Sequence, residues 1–166
     1  MKRIIPFIPI VAMLVLSLTA CNKNNDGTPP NAPGGQLSAL INGSSFNSGS
    51  HSSTAFLAPD TAHHKQIMVV LGANYIVHSA KDSSLQEIVL TMKNFTGIGT
   101  YNIVNTDTGD NVAQYSIGLT PPFLHKAKSG IIKVTGTNYN YVQGTFQFTT
   151  DSVTITSGYF NVGIPQ

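Results

Sequence analysis

An all-β domain of about ten strands, folded as a single antiparallel β-sandwich or a meander barrel, is what this sequence predicts. Three observations predict it. From residue 37 onward no apolar periodicity of 3.6 residues outlasts two turns. Short alternating or apolar runs recur instead, separated by Gly, Asn, Asp and Pro. The clearest is Val142-Gln143-Gly144-Thr145-Phe146-Gln147-Phe148, which sets Val142, Phe146 and Phe148 on one face and Gln143, Thr145 and Gln147 on the other.

Before that domain stands a leader, residues 1–20. Lys2 and Arg3 supply positive charge, residues 4–18 an apolar run interrupted by Pro6 and Pro9, and Leu18-Thr19-Ala20 a small-residue close. That is the pattern of a cleaved signal peptide; a membrane span needs about 20 apolar residues without such breaks. Cys21 follows at once, and Leu-Thr-Ala-Cys resembles the lipobox of bacterial lipoproteins, in which the cysteine becomes the acylated first residue. No other cysteine exists to give it a disulfide partner. Acyl chains contribute about 0.8 kcal/mol per buried methylene, so two or three of them anchor a soluble domain firmly. Residues 21–36 carry no large apolar side chain after Cys21 and read as a disordered tether. Such a tether holds its domain about 20 Å from the lipid headgroups.

The folded domain is expected over residues 37–166, with strands at 37–41, 53–57, 66–73, 75–79, 86–95, 99–104, 112–119, 131–137, 141–149 and 152–162. Ile67-Met68-Val69-Val70-Leu71 is apolar at both parities, as in a strand covered on both faces. In the last strand Val153 and Ile155 share one parity, whereas Phe160, Val162 and Ile164 take the other, so Gly158 is expected to mark a bulge or bend.

The charge balance excludes one large class of partner. The formal charge of +2 comes from Lys2 and Arg3; the remaining seven lysines equal the seven acids in number. Without its leader the chain has no arginine, and its lysines are scattered, which argues against nucleic acid. Only 10% of residues are charged, and Ser, Thr and Asn supply the polar surface of an exported β-protein.

Several segments together resemble a family of small Bacteroidetes lipoproteins with a β-rich domain of unknown function. They are Ile41-Asn42-Gly43-Ser44-Ser45-Phe46, Ile88-Val89-Leu90, Gly99-Thr100-Tyr101-Asn102-Ile103, Ala113-Gln114-Tyr115 and Ser129-Gly130-Ile131-Ile132-Lys133-Val134-Thr135. The most specific match is the close, the alternating run at 142–148 followed by Val153-Thr154-Ile155-Thr156-Ser157-Gly158-Tyr159-Phe160. Phe123-Leu124-His125-Lys126 departs from the family pattern. The resemblance spans most of residues 37–162. It implies a cell-envelope lipoprotein, on the outer membrane since Asn22 replaces the aspartate that retains enterobacterial lipoproteins at the inner membrane, and it implies no activity. Asp60-Thr61-Ala62 and Asp151-Ser152-Val153 resemble the O-glycosylation signal of exported proteins in the same bacteria, making Thr61 and Ser152 candidate acceptors.

No catalytic constellation is legible. The histidines are His51, His63, His64, His78 and His125, and only Asp60-Thr61-Ala62-His63-His64 brings acid and imidazole close together. Adjacent strand residues point to opposite faces, so no metal site is assigned, and no cofactor is expected. A Ser-His-Asp hydrolase would need a nucleophile turn such as Gly-x-Ser-x-Gly, which is absent; Ser48-Gly49-Ser50-His51 reads as a polar loop. Tyr139, Asn140 and Tyr141, at an expected hairpin tip, are the candidate contact patch for a glycan or envelope protein, because tyrosine offers a ring and a hydroxyl together. The expectation is a non-enzymatic binding module anchored to a membrane by lipid; the alternative is a hydrolase acting on envelope or imported polymers.

Overall fold

The computed structural model describes residues 35–48, 52–60, 65–79, 82–104, 111–118 and 123–165. Cys21, the leader, residues 22–34, His51, Thr61, His63 and His64 lie outside them; His78 falls in a described strand, but its side chain is not among those described. Eleven strands form: β1 (Gln36–Ile41), β2 (Ser44–Asn47), β3 (Ser53–Asp60), β4 (Lys65–Ser79), β5 (Asp82–Met92), β6 (Gly99–Val104), β7 (Asn111–Ile117), β8 (Phe123–Lys126), β9 (Ser129–Thr137), β10 (Tyr141–Thr149) and β11 (Thr154–Gly163). They make two antiparallel sheets, not a closed barrel: six strands in the order β2-β1-β11-β10-β9-β6, and five in the order β3-β4-β5-β7-β8. Of the two architectures the sequence allows, the protein adopts the sandwich.

Alternation decides what lies between the sheets. Leu37, Phe46, Ile132, Val134, Val142, Phe146, Phe148, Ile155, Phe160 and Val162 come from the six-stranded sheet. Met68, Val70, Ile88, Leu90, Met92 and Tyr115 meet them from the other. Phe146 lies 6.3 Å from both Phe148 and Phe160, ring centre to ring centre, within the range of favourable aromatic pairs.

Three departures from the sequence reading have physical causes. The expected break at residue 74 does not occur: β4 runs unbroken for 15 residues. Asn74 pairs with Gln86 of β5, so the ladder runs on through it, and Gly72 nearby marks a close approach, since a Cβ there would lie 2.8 Å from Leu37 Cβ on the facing sheet. Secondly, β2 and β8, four residues each, are too short to show a period. β2 is fixed by the tight turn Asn42-Gly43, both at positive φ (48° and 84°), as a two-residue hairpin requires. Finally, β4 is covered on one face only. Met68 and Val70 are fully buried, whereas Ile67, Val69 and Leu71 are half-buried on the outer side of the five-stranded sheet, beside the 50% exposed Phe56.

The expected irregularity at Gly158 is present. Between Phe146 and Phe148 of β10, β11 advances from Gly158 to Ile155, one residue more, and its pairing with β1 shifts between Ser38 and Leu40. This bulge is what turns Ile155 and Phe160, of opposite parity, into the same core.

At its edge, β3 has a defined hydrogen-bond phase. Ala73 donates its N–H to Ser52 O, so the even-numbered residues of β3 face β4 and the odd-numbered ones, including Pro59, turn their backbone groups away from it.

Candidate functional site

The outer face of the six-stranded sheet is built from the residues that alternate with the core. Tyr141, Gln143, Thr145, Gln147 and Thr149 of β10 point outward because Val142, Gly144, Phe146 and Phe148 point inward. Pairing aligns them in rows across the sheet. One row reads Ser38, Tyr159, Thr145, Lys133, Thr100; another reads Gln36, Asn161, Gln143, Gly136; a third joins Gln147, Ile131 and Asn102. Near the sheet's end the hydroxyls of Ser129 and Thr149 share a 3.1 Å hydrogen bond. Lys133 is the one charge in these rows, and among the described residues no carboxylate pairs with it.

The β11 bulge opens a shallow groove in this face. Ser157 is held there at φ 51°, a left-handed conformation that side chains other than Gly, Asn and Asp seldom adopt. Next to it Gly158 cannot be replaced, because a Cβ would lie 2.5 Å from Phe146 O and 2.7 Å from the Phe146 ring. The groove encloses about 420 Å³ and is lined by Ile131, Lys133, Thr145, Gln147, Ser157 and Tyr159, with Phe146 and Gly158 beneath. Its chemistry is an aliphatic wall at Ile131 together with hydroxyl, amide, one phenol ring and one ammonium.

The tyrosines singled out from the sequence stand at the β9–β10 hairpin, but in different settings. Asn138 Oδ1 accepts the N–H groups of Asn140 (2.8 Å) and Tyr141 (3.1 Å), and Ile164 donates its N–H to Asn140 O, so the tip is tied at both sides. Tyr139 is 90% exposed. Tyr141 is half-buried and lies over Gly136, where a Cβ would stand 3.5 Å from its hydroxyl. Gln143 Oε1, beside the same glycine, is buried and has no hydrogen-bond donor among the described residues. Sequence reasoning found this hairpin and missed Lys133, Thr145, Gln147, Ser157 and Tyr159. The parity switch at Gly158 and the polar set of β10 were the signals that pointed to them.

A second cluster sits at the opposite end of β10. Ser152, the candidate modification site, is exposed, and its Oγ lies 3.2 Å from His125 Nδ1; His125 stacks on Tyr115 with ring centres 5.9 Å apart. Gln86 donates to the Tyr115 hydroxyl at 2.9 Å. Burial raises the Tyr115 pKa above its ordinary value, partly offset by that bond. Asp151, the nearest acid in sequence, pairs with Lys128. A serine and an imidazole are thus in contact, and among the described residues no carboxylate is bonded to the imidazole as the third member that would orient a general base. Asp60 ends β3, and its expected imidazole neighbours are outside the described residues. Among the described residues no three His, Cys, Asp or Glu side chains are grouped to hold a metal ion.

Comparison with family models, curated proteins and solved structures finds no match to the chain.

Proposed function

We propose that this chain is a cell-envelope lipoprotein of the outer membrane, anchored by acylated Cys21, whose β-sandwich is a non-enzymatic binding module. The ligand lies on the outer face of the six-stranded sheet, and the observation that carries this reading is the composition of that face. Rows of Ser, Thr, Asn and Gln side chains, with Tyr141 and Tyr159 among them and a single lysine, form a broad polar face in which Asn161 is buried. Hydroxyl and amide groups exchange hydrogen bonds with a polyhydroxylated ligand, while tyrosine rings cover its apolar faces. A glycan suits that surface best, and an envelope protein is the other candidate partner. The test is retention of the mature chain on immobilised polysaccharides. Replacement of Tyr139 and Tyr141 together by alanine is expected to weaken retention while circular dichroism stays β-rich; unchanged retention would remove the hairpin from the binding surface.

The hydrolase alternative rests on one observation, the Ser152–His125 contact. It requires turnover of an ester or glycoside substrate that disappears in both Ser152→Ala and His125→Gln. Turnover that survives both substitutions would exclude this pair as its source.

A further inference from the structure

We propose that the groove beside Ser157 is a subsite for a carboxylated sugar unit, so that the bound glycan is an acidic one. This rests on the outer face being the binding surface and adds the ligand's charge and its seat. The groove lies over β9, β10 and β11, three interior strands whose backbones are paired on both sides. A peptide therefore cannot add to it as a further strand, and recognition falls to side chains. Those present are two hydroxyls, an amide, a tyrosine ring, an ammonium and one aliphatic group: Thr145, Ser157, Gln147, Tyr159, Lys133 and Ile131. Tyr159 and Lys133 flank Thr145 in one cross-strand row. Two strand spacings separate them, about 9.5 Å, and the short threonine between leaves room for a pyranose ring against Tyr159 with its carboxylate toward Lys133. With no acid paired to Lys133 among the described residues, the local field favours an anion. Ser157 completes the seat. Its left-handed backbone is strained for serine, and strain of this kind gathers where a side chain is needed in place.

The experiment compares a short uronic-acid oligomer with the same oligomer reduced at its carboxyl groups, titrated into the full mature chain in detergent at low salt. The acidic oligomer is expected to bind about threefold tighter, as for an exposed ion pair, and Lys133→Gln should abolish that difference without weakening the neutral oligomer. Ser157→Gly should weaken both while its melting temperature stays at or above that of the wild type. Equal binding of the two oligomers by the wild type, or a difference that persists in Lys133→Gln, overturns the acidic subsite but leaves the glycan-binding face standing. If no polysaccharide, charged or neutral, retains the wild type, the face itself is refuted and the subsite with it.

Discussion

Phe146 and Phe148 are 3% and 2% exposed, while Gln147 between them is exposed, so neighbouring residues carry very different energetic weight. Alanine at either phenylalanine should cost about 3–5 kcal/mol in a urea titration, and Gln147→Ala well under 1 kcal/mol. Equal, small losses at all three would reject the register. Tyr115 makes a pH prediction. Its folded pKa is raised, so the folded state holds a proton that the unfolded chain releases once pH passes the ordinary tyrosine value near 10. Its contribution is complete below that value and is lost as pH climbs through the folded pKa. Melting temperatures recorded from pH 8 to 11 should therefore fall more steeply for the wild type than for Tyr115→Phe; parallel curves would show that the phenol is not the titrating group.

Among the elements, the β9–β10 hairpin is the most closely specified by single side chains. Asn138 accepts two backbone N–H groups through one oxygen, and Asn138→Ala should cost about 1–2 kcal/mol by leaving them to solvent. Tyr139→Ala, which removes a ring already in water, should leave stability unchanged in the same denaturation experiment. Long amphipathic strands such as β10 were legible in the sequence because Val142, Phe146 and Phe148 repeat at the strand period. The bulge was legible for a related reason: a switch of parity between Ile155 and Phe160 has no other cause in a continuous strand. β2 and β8 were not, since four residues hold no period and their pairing is set by turns and neighbours. β4 was split at Asn74, a residue type that favours turns, and only its pairing with Gln86 of β5 carries the strand through it. The groove was illegible for the same reason as β4. Its lining comes from three strands brought together by register, and nothing in the order of residues states that Tyr159, Thr145 and Lys133 share a row.

At the scale of the whole chain, the leader and Cys21 predict that labelled palmitate enters the wild type and not Cys21→Ser, read by fluorography of the immunoprecipitated protein. Label in the serine variant would displace the anchor from Cys21. The fold itself needs no metal or disulfide to be understood, because one continuous core drawn from both sheets closes it. What the sandwich leaves is rims, and the rim at β3 is the exposed one to watch: Phe56 and Leu57 are 50% and 42% exposed beside a row of outward backbone groups. Pro59 belongs to that outward set, and having no N–H it withholds a donor at the point where apolar side chains would otherwise invite a foreign strand. Ala55, the outward residue two positions past Ser53, is fully buried, which leaves Leu57 as the accessible donor between it and the proline. One hydrogen bond does not template a fibril. Wherever many copies are crowded together, as the proposed lipid anchor would crowd them, an edge without that donor resists edge-to-edge polymerisation, and Pro59→Thr should convert a monodisperse preparation into one that scatters light and binds thioflavin at high concentration.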